Sequence, residues 1–302
     1  MRVDPNYVIG LAASLNSSTL AEQKLTSELS SGLAVTSLSD NPVAAGQASM
    51  LTSAISQDDT FVQTASSAES LMQVTDSALG SVVTQLTSAL SLAVEGNGGT
   101  ESASDLTMIS QQLSGIRDQV VALANTNYQG TYIFAGSDGN AQPFTTDTST
   151  SPATTTYHGD PNVNHVNTIS TVNGQQIKMG LTGSAVFTAP GADVMTALNN
   201  LVADFASGTV SATASTDIGV LQTALSNVSQ QRLSLDSSLD RLETAGTYAQ
   251  TDATNRTAEA SSLVASNPAT VATQLSAAET QNQALMSVIA TVGKQSLFDM
   301  ID

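Results

Sequence analysis

No cysteine and no tryptophan occurs in this 302-residue chain, and only 4% of it is aromatic. The first absence excludes disulfides, thiol catalysis and cysteine-ligated metals, and leaves the compartment open. The second leaves alanine, leucine and valine to carry the apolar load, which suits long packed helices better than a large globular core. Positive charge is scarce too. Eight Lys and Arg stand against 26 Asp and Glu, a net charge of −18. Such a surface repels phosphate backbones, so nucleic-acid binding is excluded as a function class. Charged residues make up only 11% of the chain, well below an ordinary soluble domain, with serine and threonine in their place. No run of 18 or more apolar residues is present, so no membrane-spanning helix is expected. The first 30 residues hold one early arginine but neither a continuous apolar core nor a clear cleavage site. A secretory signal peptide is unsupported, and export, if it occurs, is expected to use another route.

What the chain does have is helical periodicity. In residues 104–136 apolar positions step by three and four through Leu106, Ile109, Leu113, Ile116, Val120 and Leu123, the seam of a helix packed lengthwise on others. Asp105 and its polar neighbours give a start signal. Asn125-Thr126-Asn127 stops the seam and Gly130 breaks the helix. Thr131-Tyr132-Ile133-Phe134 then reads as a strand ended by Gly136. Upstream, residues 43–94 predict one long helix. Phe61, Ala65, Ala68, Met72, Thr75, Leu79, Val82, Leu86, Ala89 and Ala93 keep a strict 4-3 alternation, with Thr75 the one polar member. Gly96–Gly99 reverses the chain into an antiparallel α-hairpin.

The N-terminal 36 residues predict a helix from about Tyr7. Val8, Leu11 and Leu15 lie on one seam and Leu25, Leu29 and Leu33 on another, with Ser18 and Glu22 where apolar residues belong. Ser39, Asp40 and Asn41 are candidate caps for the next helix, with Pro42 at its first position. After Gly136, residues 137–190 lose helical period and predict a small all-β domain with long loops. Thr168–Val172 and Gln175–Met179 flank Asn173-Gly174, the signature of a type I′ hairpin turn. Helix resumes near Asp193–Ala206 and again through Ile218, Leu221, Leu225, Val228, Leu235, Leu239 and Leu242, interrupted by Arg232. Asn267-Pro268 marks a break or a fresh cap. The last seam is Val271, Leu275, Ala278, Asn282, Leu285, Ile289 and Val292, followed by an apolar tail that includes Leu297 and Phe298.

The fold class expected is therefore mainly α with a β insertion: an elongated antiparallel bundle, with a coiled coil made by both termini. Three domains are expected: a terminal one from 1–42 and 260–302, a helical rod from 43–136 and 191–259, and the β-rich 137–190. The terminal seams carry few charges and leave faces that a monomer cannot cover. The expected assembly interface is accordingly Val8, Leu11, Leu15, Leu25 and Leu29 with Val271, Leu275, Ala278, Asn282, Leu285, Ile289, Val292, Leu297 and Phe298. Asn282, at a core heptad position, is a candidate for fixing register there.

Several motifs carry a family likeness. Leu29-Ser30-Ser31-Gly32-Leu33 through Ser39-Asp40-Asn41-Pro42-Val43-Ala44-Ala45 resembles the flagellin N-terminal signature. The remaining motifs are narrower: Gly115-Ile116-Arg117-Asp118-Gln119, Ala124-Asn125-Thr126, Gly130, Tyr132–Gly136, Pro143-Phe144, Tyr157-His158-Gly159-Asp160 and Ser296–Asp299. They are similar to the flagellin-like flagellar hook-associated proteins, the hook-associated protein 3 family. That resemblance implies an extracellular structural subunit of the bacterial flagellum, exported through the flagellar type III channel. It implies a ring between the first hook–filament junction protein and flagellin, terminal helices that pair on assembly, and an export chaperone on the C-terminal helix. Asn41 stands where the family usually has Asp, Ala34 where a basic residue is common, and Met300 where an aromatic is usual.

The enzyme alternatives are thin. His158, Asp160 and His165 are metal-ligating types, but nothing like HExxH and no helix fixes them, and a surface loop is the reading adopted. No G-x-S-x-G elbow frames a nucleophile, and Gly96–Gly99 lacks the lysine of a phosphate loop. No enzyme and no cofactor is expected. Arg117-Asp118 and Arg241 with Glu243 are candidate ion pairs, set against solvated helix faces. The alternatives carried forward are a filament flagellin and, from another class, a secreted binding module or metal-dependent hydrolase using the β domain. Modification of the Ser/Thr-rich loop 145–156 is left open, as is the ring's subunit number.

Overall fold

The computed structural model describes residues 5–137, 139–160, 162 and 166–298. The chain falls into two compact units, Met1–Ser56 with Asp252–Asp302, and Gln57–Thr251. Four helices contribute to the first unit: α1 (Pro5–Ser31), the beginning of α2 (Pro42–Asn97), the end of α6 (Ala214–Val264) and α7 (Pro268–Phe298). The second holds the rest of α2 and α6 together with α3 (Ala103–Ala124), α4 (Gly183–Phe187), α5 (Val194–Ala206) and eight short strands.

In the terminal unit α1 and α7 pack antiparallel. Ser266 Oγ donates to the Glu28 carbonyl at 3.3 Å, and further along both helices Asn282 Nδ2 donates to Glu22 Oε2 at 2.6 Å. Backbone bonds close the neighbouring corner, Ala34 N to Val264 O at 2.7 Å and Ser266 N to Gly32 O at 2.9 Å. The next helix starts as its sequence suggests: Asn41 Oδ1 accepts from Ala44 N at 3.2 Å, and Pro42 opens α2. Asp40 does something else. Its Oδ2 accepts the backbone N–H of Thr36 and Ser37 at 3.1 and 2.9 Å, and its Oδ1 takes Lys24 Nζ at 2.8 Å. The Lys24 ammonium and the Ser37 hydroxyl hold this carboxyl far below the usual carboxylate range. Asn267 caps α7, accepting from Ala269 N at 3.1 Å, so Asn267-Pro268 is a fresh cap.

The second unit is organised by α2. All ten heptad positions from Phe61 to Ala93 are buried, including Thr75, whose hydroxyl bonds back to the Leu71 carbonyl at 2.9 Å. An 18-residue window of α2 reaches a mean hydropathy of 1.4, enough by length and composition to cross a bilayer. In this fold the seam faces a protein core instead. α6 lies antiparallel to α2, with Arg232 meeting Asp76 and Gly246 beside Ala65. It presents Leu221, Ala224, Val228, Leu235 and Leu242 to the same core.

α3 begins one residue ahead of expectation, because Ser102 and Asp105 form a capping box. Its buried stripe runs Leu106, Ile109, Leu113, Arg117, Val120, Ala124. Ile116 and Leu123, expected in the seam, are half-buried beside it. The reason is that α3 packs on α5 as well as joining the core, with Ser110 Oγ on the Val202 carbonyl at 2.7 Å. A helix held on two sides buries a face wider than a two-residue seam.

The strands form four separate antiparallel pairs. These are β1 (Asn127–Tyr128) with β2 (Thr131–Tyr132), β3 (Phe144–Asp147) with β4 (Thr154–Tyr157), β5 (Thr168–Ser170) with β6 (Gln176–Lys178), and β7 (Thr188–Ala189) with β8 (Ala192–Asp193). Two expectations change here. The strand expected over 131–134 stops at Tyr132, since Phe134 turns into the core. The Asn173-Gly174 turn is not type I′, which needs positive φ at both central residues. Among the described residues the only non-glycine with positive φ is Gln129. Instead Gly174 N bonds Thr171 O and Thr171 N bonds Gln175 O, each at 2.8 Å, with Gly174 at φ 78°. That is a type I turn closed by a glycine bulge, and Thr171 Oγ1 supports it by accepting from Gln175 N at 3.0 Å.

Candidate assembly surface

The expected interface residues on the two terminal helices are brought together by the fold. Leu11, Leu15 and Leu25 of α1 and Leu275, Ala278, Asn282, Leu285 and Ile289 of α7 are half-buried, and Val271 is buried. They lie where α1 and α7 meet, so within this chain they already have an occupant. Ser18 and Glu22 complete the α1 stripe at heptad spacing. The pair therefore has a polar middle, in which Ser18 Oγ and Asn282 Oδ1 are buried without a hydrogen-bond partner. Leu29, expected on the seam, is 41% exposed, because Glu28 takes the inward position. The side chains of Val8, Val292, Leu297 and Phe298 lie outside the described ones, as do Met300 and the rest of the tail.

Other apolar side chains of this unit are exposed: Tyr7, Ile9, Leu20, Leu29, Leu33, Met286 and Val288, and Leu38, Val43 and Met50 around the start of α2. Ten of the sixteen exposed large apolar side chains among the described residues thus sit in the smaller unit. Exposed apolar side chains are thus concentrated in the unit that carries the expected interface residues.

Four of the motifs that carry the family likeness, Ala124-Asn125-Thr126, Tyr132–Gly136, Pro143-Phe144 and Tyr157–Asp160, converge elsewhere, at the end of α3. Asn125 clasps the backbone of Phe144, its Nδ2 donating to Phe144 O and its Oδ1 accepting from Phe144 N, both at 2.9 Å. Phe144 packs on Tyr157 and Phe187 with ring centroids 4.9 and 5.4 Å apart, and Phe134 meets Phe187 edge-on at 5.1 Å. Tyr157 Oη donates to the carbonyls of Phe134 and Asp160. Burial pushes its hydroxyl above the usual value. No side chain fits at Gly183, where a Cβ would stand 2.6 Å from Tyr157 and 2.9 Å from both Phe144 and the Phe134 carbonyl. These motifs build a joint between helix and strands.

Arg117 is buried, its guanidinium turned onto Asp118 Oδ1 at 2.8 and 3.0 Å and onto Ser114 Oγ at 3.0 Å. Arg241 and Glu243 are exposed. His158 Nε2 is hydrogen-bonded to Thr145 Oγ1 at 2.7 Å, Asp160 accepts from Ser137 and Asn162, and His165 lies outside the described residues. Among the described residues no three His, Asp or Glu are placed to hold a metal. The sequence reading missed one site, the pair Asp204 and Asp217, where burial, with the Asp204 charge adding, holds the Asp217 carboxyl above its usual range. Only spatial contact reveals it, since the two residues lie on different helices.

The terminal helices pair antiparallel, and in sequence a helical unit with a small β region is inserted between them. Residues 8–138 match the model of the bacterial flagellin N-terminal helical region. The chain is similar to flagellar hook-associated protein 3 of Salmonella typhimurium, 34% identical over 177 residues, 56% of this chain and 54% of that protein. Hook-associated protein 3 of Escherichia coli is 34% identical over 122 residues, 40% of this chain and 38% of that protein. The chain thus spans about half the length, or less, of these curated relatives. Among solved structures, the flagellar junction protein FlgL of Legionella pneumophila shares the fold with a TM-score of 0.55 at 12% identity, covering 65% of this chain and 99% of that one.

Proposed function

We propose that this protein is a structural subunit of the bacterial flagellum that forms the junction between hook and filament, with no catalytic role. The observation that carries the reading is the 34% identity to hook-associated protein 3 over 177 residues. The exposed apolar side chains of the terminal unit support it, because a subunit of an axial assembly needs surface its own chain does not cover. Its partners are further copies of itself, the first junction protein on the hook side and flagellin on the other. The subunit reaches the cell exterior through the flagellar type III channel, with a chaperone on its C-terminal helix until export. The three-part division at 42–43, 136–137, 190–191 and 259–260 belongs to the same proposal.

Immunogold labelling of intact flagella tests it. An epitope inserted in the exposed turn at Thr148–Ser151 should leave the core untouched. A single narrow band where hook meets filament is the result expected. Label along the whole filament would make the protein a flagellin, and flagella without label would end the flagellar reading.

A further inference from the structure

Between α5 and α6 the chain turns through residues 207–213, and the turn brings two carboxylates face to face. Asn200 and Asp204 stand one helical turn apart on α5. Thr213, Thr216 and Asp217 stand at the start of α6. With Pro152 and Ala203 these five residues line a cavity of about 370 Å³. Asp204 is 7% exposed and Asp217 9%. Asp204 Oδ1 accepts from the Thr213 hydroxyl at 2.8 Å, and Asp217 Oδ1 from Asn200 Nδ2 at 3.0 Å. Asp204 Oδ2 is buried and has no hydrogen-bond partner. Burial and the nearby Asp204 charge both raise the Asp217 carboxyl above its usual range. No lysine, arginine or histidine lines the cavity.

Two neutral donors for two carboxylates is a poor settlement, since each ionised carboxylate offers about four acceptor sites. Buried charge is tolerated when it is paired or coordinates a metal. Asp204 lies in the last turn of α5, where the helix end repels an anion, while Asp217 lies in the first turn of α6, where the helix end favours one.

We infer that this cavity binds one hard divalent cation of the calcium type, held by Asp204 Oδ2 and the Asp217 carboxylate. The hydroxyls of Thr213 and Thr216, the Asn200 side chain and water supply neutral oxygens around it. Calcium suits the place better than magnesium. It takes six to eight oxygens in a flexible shell, whereas magnesium demands tight octahedral geometry and keeps its own water. With only two carboxylates the site belongs at the weak end of calcium affinities, a Kd of about 10⁻⁴–10⁻³ M. The bound ion ties the end of α5 to the start of α6. None of this depends on the flagellar reading.

The test is thermal unfolding of the full chain, followed by circular dichroism in chelator-treated buffer at constant ionic strength. Addition of about 10 mM CaCl2 should raise the midpoint by about 2–5 °C. Equilibrium dialysis with radioactive calcium should count one more ion per parent chain than per Asp204→Asn/Asp217→Asn chain. The double variant should unfold no earlier than the parent in chelator, because it has lost a repelling buried pair, and should gain nothing from calcium at the site. A parent midpoint indifferent to calcium would overturn the inference. So would an equal shift in the double variant, which would make calcium a general counterion for a chain of net charge −18. A rise in the parent midpoint on acidification alone, with no calcium response, would show instead that the two carboxyls share a proton.

Discussion

At the scale of single residues, two glycines separate packing from habit, Gly115 inside a family-like motif and Gly183 packed against two others. Gly183 sits against Tyr157, Phe144 and the Phe134 carbonyl at distances no Cβ adopts. Gly183→Ala must push an aromatic cluster apart, and overpacking of this kind costs about 1–3 kcal/mol. Gly115, in the interior of α3, has nothing within 4 Å of a Cβ. Gly115→Ala should therefore stabilise the unit by about 0.5–1 kcal/mol. Urea unfolding of both variants checks the pair, and equal effects of the same sign would break the argument. The ionic contact between α2 and α6 makes a second prediction. Arg232 donates Nε and Nη2 to the two oxygens of Asp76 at 2.5 and 3.1 Å, and Gly80 leaves room for its guanidinium. The hydrogen bond from Arg232 holds the Asp76 carboxyl below its usual value, so its contribution is present above about pH 4 and is lost as pH falls through the depressed value. Asp236 is opposite in sign. Burial and the neighbouring Asp76 raise it, so its contribution is complete below about pH 4 and is lost as pH rises through the raised value. At neutral pH Asp76→Asn should cost ~0.5–1 kcal/mol, the pair being partly exposed and screened, while Asp236→Asn should gain a few tenths. Unfolding midpoints measured from pH 3 to 7 give both slopes.

At the scale of elements, the helices were legible where a buried stripe is unbroken. The ten α2 positions from Phe61 to Ala93 are the clearest case, since a strict heptad leaves only one face to bury. The Asn41 and Asn267 caps, each beside a proline, were legible for an equally local reason. The α3 stripe was misread by one position at Ile116, because periodicity cannot tell how many neighbours a helix has. The 131–134 strand and the Asn173-Gly174 turn were misread because each is decided by contacts from elsewhere: the pocket that takes Phe134, and the Thr171 to Gln175 pairing. The terminal pair is the element where sequence and structure explain each other best. Ser18 and Glu22 looked like faults in an apolar seam, and Glu22 meets Asn282 across the pair. A buried polar position of this sort fixes register at a cost in stability. Asn282→Leu should therefore raise the melting midpoint of the terminal unit while letting the two helices slip. Cysteine pairs placed across Glu28 and Ser266 would report the slip, as a fall in crosslinking yield. An unchanged midpoint with unchanged yield would mean that the polar layer does neither job.

At the scale of the whole molecule, the candidate surface and the net charge pull in opposite directions. The exposed residues of the terminal unit, Ile9, Leu20, Met50 and Met286 among them, favour association by burying apolar area at roughly 25 cal/mol per Å². The net charge of −18 opposes it, because every copy brings the same sign. Salt decides between them. Raising ionic strength from about 0.01 to 0.15 M shortens the screening length from about 30 to 8 Å, which weakens the repulsion and leaves the apolar contact intact. Purified protein should accordingly shift toward larger species in sedimentation velocity as NaCl is raised. The variant Leu20→Asp/Met286→Asp should stay monomeric throughout, because both side chains are exposed and neither belongs to the half-buried α1–α7 stripe. Leu285→Asp acts differently, since it cuts into the contact itself and should lower helicity before association is ever tested. Association that falls with salt would mean that ion pairs, and not the apolar face, build the assembly. A double variant that associates as readily as the parent would move the interface off the terminal helices altogether.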